Sequence, residues 1–326
     1  MRLPKQVRVA LIGLQGHPAE ITGPLNRLPD VELAGIADAE AKPRGNARLY
    51  KDWREMLDKE KPDVVAINNA GGPPRVEAIL EATRRGLPWI AEKPLANTRA
   101  DLQRIRDALR KNPVRFSMLL PMRFDPPYLA LKKLVDDGAV GEVAQISAQK
   151  SYKAGQRAPW MLDPVSYGGT LPWIGIHMTD LMMHTSGRDF KEVFTIQAHV
   201  GDFPGIGNME NTTSTVFRLD NRGTATLHMD YYRPESSPTH GDDRLRLAGT
   251  KGVAEYMAAT GVTLLTEGRK PEVIGDLPPA QSVFVDFLES IYLGKPQSLS
   301  EKDIWRNCEV VLAARESAET NRPLPI

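Results

Sequence analysis

Trp89-Ile90-Ala91-Glu92-Lys93-Pro94 is the stretch whose reading decides the fold of this chain. An apolar run ends there in a charged pair, and a proline closes the strand at once. Charged side chains at the carboxyl end of a buried strand point to a cleft. The residue before a proline is pushed out of the α region, so Lys93 is expected in an extended or turn conformation. A lysine held there loses part of its hydration, and a desolvated ammonium has the lowered pKa that proton work needs. A solvated strand end would look the same in isolation. The place of the stretch in the chain decides between the two.

Upstream, residues 7–12 (VRVALI) are β-rich and end at Gly13-Leu14-Gln15-Gly16-His17-Pro18. A helix is expected over 19–28 with Pro18 in its first turn. Pro29-Asp30 ends it, and a second strand over 31–37 ends at Asp38. Strand, glycine turn, helix, strand and acidic residue follow in the order and near the spacing of a dinucleotide-binding unit. The glycine pattern itself is incomplete. Gln15 stands where a second glycine would admit a pyrophosphate, and Pro18 stands at the third position. Gly16 sits one place late, and the side chains of Gln15 and His17 are candidates to hydrogen-bond a phosphate instead.

The alternation continues with a helix over 53–59 and a buried strand over 62–69 ending in Asn68-Asn69. A helix over 75–85 is closed by Gly86, and the strand over 87–91 leads to Glu92-Lys93. Asn97 or Thr98 then caps a helix running to 109, and a fifth strand covers 114–119. Strands alternating with helices of this length predict a doubly wound parallel sheet. Ligands of such sheets bind beyond the carboxyl ends of the strands, where Gly13, Asp38, Asn69 and Lys93 all fall.

The pattern breaks at 121–127, which places a domain boundary between 1–121 and 122–326. A helix over 128–137 and a strand over 142–151 come next. The segment 160–187 contains Tyr167-Gly168-Gly169, Trp173 and Gly175-Ile176-His177-Met178-Thr179-Asp180. It turns helical from Gly175, so His177 and Asp180 share a face near a helix start. Trp160 and Tyr167 flank it as pocket-lining or core residues. Alternating segments at 193–200, 212–219, 224–232, 243–248, 253–257 and 263–266 then predict a large, mostly antiparallel sheet. Helices over 282–293 and 301–320 close the chain. A sheet with helices mainly on one face leaves the other to be covered, and a homodimer or homotetramer through the C-terminal sheet is the expected solution.

Composition narrows the function classes. With 42 basic against 41 acidic side chains the formal charge is +1, so neither nucleic acid nor an anionic membrane is an expected partner. No apolar segment approaches the length of a bilayer span, and the N-terminal run leads into a turn and not a cleavage site, so a cytoplasmic location is expected. The single Cys308 excludes an intrachain disulfide and suits a reducing compartment. His184, His199 and His228 read as structural or exposed, and His240-Gly241-Asp242-Asp243 as a turn without enough ligands for a metal.

Several residues together resemble the Gfo/Idh/MocA oxidoreductase family. They are the glycine turn after the first strand, Glu92-Lys93-Pro94, Gly169 with Gly175-x-His177-x-x-Asp180, and the ending Ser317-x-x-x-Asn321-Arg322-Pro323. The resemblance covers nearly the whole chain. It implies an N-terminal Rossmann domain, a C-terminal α/β domain with a large open sheet, and NAD(P)-dependent chemistry on the hydroxyl-bearing carbon of a sugar or polyol. Lys93 then matches the lysine that contacts nicotinamide ribose and the reacting hydroxyl, and His177 matches the general acid/base. Gly13, Gln15, Gly16, His17, Asp38, Asn69 and Glu92, with Lys93, become the expected cofactor contacts. Asp38 repels a 2′-phosphate, so NAD is expected before NADP, although Arg44 nearby leaves NADP open. Arg123, Trp160, Tyr167, Trp173 and Asp180 are the expected substrate contacts, and no metal is expected. The chain departs from the family at Trp173, where many members carry an aspartate, and at Arg75, where a histidine is frequent. These departures keep two alternatives open: a redox-neutral enzyme that retains NAD, and a catalytically silent sugar or dinucleotide sensor.

Overall fold

The computed structural model describes residues 2–326 and divides them into two compact units. One holds the stretch up to Pro121 together with Val165–Gly168 and Ser282–Trp305. The other holds Met122–Pro164, Gly169–Gln281 and Arg306–Ile326.

The first unit is a six-stranded sheet with the order β3-β2-β1-β4-β5-β6, every neighbouring pair parallel. Its strands are β1 (Val7–Ile12), β2 (Val31–Ala37), β3 (Arg48–Tyr50), β4 (Val64–Ile67), β5 (Trp89–Ala91) and β6 (Phe116–Met118). Between them run α1 (Pro18–Thr22), α2 (Trp53–Glu60), α3 (Pro73–Arg84) and α4 (Arg99–Lys111). β4 and β5 are buried along their whole length, as helices on both faces of a parallel sheet require. The strand order reverses between β1 and β4, so their carboxyl ends frame the crevice where ligands of such sheets bind.

One expectation for this unit needs correction. The helix expected over 19–28 is broken, because Gly23 and Pro24 interrupt it and a separate 3-10 turn covers Pro24–Arg27. Proline has no N–H to continue an α-helical ladder. The edge strand β3 was not foreseen. Thr98 is the cap of α4, its hydroxyl accepting from Asp101 N at 3.0 Å.

The second unit is built on a nine-stranded sheet. After α5 (Pro126–Asp136) come β7 (Val143–Tyr152), the short α6 (Pro164–Tyr167), which belongs to the first unit from Val165 on, α7 (Ile176–Ser186) and β8 (Phe190–Ala198). Then follow β9 (Thr212–Leu219), β10 (Thr224–Asp230), β11 (Gly241–Gly249), β12 (Gly252–Met257), β13 (Gly261–Thr266) and β14 (Glu272–Val273). α8 (Val283–Tyr292) belongs to the first unit, α9 (Glu301–Thr320) joins the second from Arg306 on, and β15 (Leu324–Pro325) is the last strand. The sheet order is β14-β13-β12-β11-β7-β10-β9-β8-β15. β7 and β10 pair in parallel and all other neighbours are antiparallel. β9 alternates strictly between buried and open positions, as a strand with one covered face does. No helix among the described residues is long and apolar enough to cross a membrane.

Candidate active site

In the first unit the segments that follow β1, β4 and β5 converge on one buried carboxylate. Glu92 is fully buried. It accepts the backbone N–H of His17 at 2.8 Å, and His17 Nδ1 lies 2.9 and 3.0 Å from its two oxygens. Gly16 makes that approach possible. Its φ is +69°, and a Cβ there would stand 2.4 Å from the Glu92 carboxyl. Gly16 therefore serves the Glu92–His17 contact, and His17 Nδ1 is committed to Glu92.

Burial by itself pushes the Glu92 carboxyl up. The contact with His17, helped by the charges of Lys93 and Arg75, overrides burial and holds it down at about 2. A carboxyl held below its ordinary 4.5 gives stability that is complete above that pH and is lost as pH falls toward about 2. Acid unfolding of Glu92→Gln is expected to lack this component. Equal loss of stability by wild type and variant across that window would show that the ion pair does not support the fold.

Lys93 is 1% exposed, with Nζ 3.9 Å from Glu92 Oε1. Its backbone is held by Arg75, which sequence reading noted only as a departure from the family. The Arg75 guanidinium, fully buried on α3, donates to the carbonyls of Lys93 and Pro94 at 2.9 Å and of Asn69 at 2.8 Å. One planar cation thus fastens the loop after β5 to the end of β4, a geometry that a fork of donors can satisfy and an ammonium cannot.

The glycine turn shows what a dinucleotide would meet. Gly13 has φ +78°, and a Cβ there would lie 2.5 Å from Asn69 Cα, so only glycine lets β1 and β4 close at this point. Gly13 N donates to Ala37 O, Gln15 N to Asn68 O, Leu14 N to Asp38 Oδ2 and His17 N to Glu92. Gly16 N has no backbone acceptor among the described residues, so it is the N–H of this turn that is open to an added acceptor. Asp38 Oδ1 also accepts from Glu40 N at 2.8 Å, which fixes the carboxylate at the end of β2. Asn68 Oδ1 and Asn69 Oδ1 are buried without a hydrogen-bond partner at the end of β4. Unsatisfied buried acceptors of this kind are rare in folded proteins and are open to donors from a bound molecule or water. These residues fit a dinucleotide. Asn68, which also donates from Nδ2 to Gln15 O at 3.3 Å, escaped sequence reading because nothing local separates it from Asn69. Tyr167 also belongs to this unit, where it is 2% exposed.

In the second unit His177 is the second residue of α7 and is 6% exposed. A π-helical turn over Leu171–Gly175 precedes it, and such turns are frequent at functional sites. Trp173 in that turn stands edge-on to Trp160, with ring centroids 4.9 Å apart and planes at 79°. This is favourable aromatic geometry, and it fills the place of the expected aspartate with packing.

Arg123 and Asp180, each expected to meet substrate, are joined to each other in the structure. Both are buried; Arg123 Nε donates to Asp180 Oδ2 at 2.9 Å and a second guanidinium nitrogen reaches Oδ1. Asn307 on α9 adds a third bond, Nδ2 to Asp180 Oδ1 at 2.8 Å, and its Oδ1 accepts from Thr179 at 3.2 Å. The network anchors the face of α7 that follows His177. Asn307 was not foreseen, since it lies 127 positions from Asp180. No group of three or more His, Cys, Asp or Glu among the described residues is placed to hold a metal.

Comparison with known proteins agrees with this architecture. Residues 7–120 match the oxidoreductase family with an NAD-binding Rossmann fold, and residues 128–255 match the Gfo/Idh/MocA C-terminal domain. A solved Thermotoga maritima structure, described as a candidate oxidoreductase, superposes with a TM-score of 0.91 at 33% identity. The match covers 98% of this chain and 100% of that one. The chain therefore belongs to the Gfo/Idh/MocA oxidoreductase family, and its first unit carries the family's NAD-binding fold.

Among curated relatives, inositol 2-dehydrogenase of Salmonella typhimurium is 28% identical over 52% of this chain and 51% of that protein. D-glucoside 3-dehydrogenase of Escherichia coli is 30% identical over 56% and 53%. In these matches the chain spans about half the length of the relative.

Proposed function

We propose that the protein is an oxidoreductase acting between NAD and a hydroxyl-bearing carbon of a sugar or polyol. The observation that carries this reading is Lys93, a buried ammonium pinned at the carboxyl end of β5 in an NAD-binding fold. Relatives named inositol 2-dehydrogenase and D-glucoside 3-dehydrogenase support the substrate class. In this reading Gly13, Gly16, Asp38, Asn68 and Asn69 hold the dinucleotide, which when bound accepts or returns a hydride. The Lys93 ammonium stabilises the oxygen that becomes an alkoxide, and His177 takes or returns its proton. Asp38 accepts from the adenosine ribose. The first unit serves as the dinucleotide domain, and the second as the domain for substrate and self-association.

The test is calorimetric titration of dialysed protein with NAD, NADH, NADP and NADPH, followed by a sugar and polyol screen for NADH formation. Micromolar NAD binding with turnover of a polyhydroxy compound is the expected result. No binding of any of the four nucleotides would end the proposal. Asp38→Ser is expected to shift preference toward NADP by about tenfold or more, since a carboxylate beside a 2′-phosphate costs more than about 1.4 kcal/mol. An unchanged ratio would remove Asp38 from the ribose site.

A further inference from the structure

Beyond the Arg123–Asp180 anchor, the second unit carries basic groups that its own acids do not neutralise. Lys153 and Arg157 follow β7 and are both half-buried. Lys153 Nζ donates to the carbonyl of Glu235 at 2.7 Å, and Arg157 Nη2 to the carbonyl of Lys153 at 3.0 Å. Neither has a carboxylate partner among the described residues, whereas their neighbours do. Lys150 pairs with Asp243 at 2.8 Å and Arg244 with Asp242 at 2.6 Å. Arg157 lies over the Tyr231 ring, its Cζ 4.5 Å from the centroid, with Nε buried and unpartnered. His240 stacks on Tyr152 beside them, and its carbonyl accepts from Lys153 N at 3.0 Å. Burial first, then Arg157 and Lys153, lower the His240 pKa, and this positive field outweighs the pull of Glu235 and Asp243. Two half-desolvated cations in a positive local field form a place that an anion would stabilise.

This patch adjoins the His177 segment. Gly175, two residues before His177, is packed on Met229, whose Sδ lies 3.2 Å from where a Cβ would stand. Tyr231 follows Met229 by two residues and is buried like it, so it lies on the same side about 7 Å further along. Trp160, three residues after Arg157, touches Trp173, four residues before His177.

We propose that Lys153 and Arg157 form an anion subsite next to His177, so that the substrate is a polyhydroxy compound bearing a carboxylate or a phosphate. The chemistry at its hydroxyl rests on the redox reading above, while the binding does not. A charge-assisted contact to such a group contributes about 1.5–3 kcal/mol, or roughly ten- to hundredfold in affinity.

The experiment is calorimetry on the NAD-loaded protein with D-glucuronate and D-galacturonate, their neutral hexoses, and the corresponding hexose 6-phosphates. At least one acid or phosphate ester is expected to bind about tenfold or more tightly than its neutral hexose, and which of the two anions wins identifies the group. Lys153→Gln with Arg157→Gln is expected to reduce the preference to about threefold or less, with thermal unfolding showing an intact fold. Equal affinity for acid and neutral sugar, no binding of any of these sugars, or a preference that survives the double substitution would overturn the subsite. Anion preference without NADH formation from any compound would leave the subsite and remove the redox reading. NADH formation from neutral polyols without charge preference would do the reverse.

Discussion

Asp180→Ala is expected to destabilise the second unit by about 3–5 kcal/mol, because it leaves a buried guanidinium without its counter-ion. Arg123 is 2% exposed and cannot recover the lost bonds from water without opening the helices around it. The Asn307 amide loses its acceptor at the same time. For a unit of this size the loss corresponds to a fall in Tm of roughly 10 °C, readable by calorimetry or urea unfolding. Arg123→Met alone should cost a similar amount. The pair Arg123→Met with Asp180→Leu should cost clearly less than the two single losses added, since no charge is then stranded. Additive losses, or a single loss below about 1 kcal/mol, would show that the pair is solvated and adds little. The result also bears on function. A network that sets the face of α7 beyond His177 acts through position on the group proposed to transfer the proton, so conservative variants at Asn307 should alter turnover more than cofactor affinity.

How far the sequence reveals this molecule depends on the range of the interaction concerned. β1, β2, β4 and β5 are legible because a strand buried on both faces must be apolar throughout, and a short run of VRVALI or VVAI says so locally. β3 is not, since Arg48–Tyr50 is a largely exposed edge whose strand character comes from pairing with Gly35, Ile36 and Ala37. β15 is hidden for the same reason. Leu324 and Pro325 pair only at the margin of β8, and proline is admitted to a sheet at such edges. The places of Lys93 and His177 are legible because adjacent residues mark them: a strand end closed by proline, and a glycine-led helix start. What escapes is everything the fold supplies through space. His17 and Glu92 are 75 positions apart, Arg123 and Asp180 are 57 apart, and Arg75 reaches carbonyls 18 and 19 positions away. Each looks in sequence like an independent polar residue free to meet a ligand. In the structure each is first an answer to the cost of burial.

Lys93→Met is expected to lower turnover by about a thousandfold or more while NAD affinity changes by less than about fivefold. Methionine keeps the length of the stem and the packing of a side chain that is 1% exposed, so the substitution removes charge and little else. The backbone at that point is set by Arg75 through the carbonyls of Lys93 and Pro94, which the substitution leaves intact. The dinucleotide contacts proposed at Gly13, Gly16 and Asp38 are likewise untouched, which is why binding should survive. What is lost, in the proposed reaction, is a preorganised cation where negative charge develops on oxygen, a contribution largest in a site that excludes water. The same substitution carries an internal control. Lys93 is one of the charges holding the Glu92 carboxyl near 2, so its removal should move the acid loss of stability to higher pH. Calorimetric NAD binding, NADH formation on the screened substrate and acid unfolding measure the three effects on one preparation. Turnover within about tenfold of wild type, with the acid shift present, would show that Lys93 supports Glu92 and has no part in the reaction.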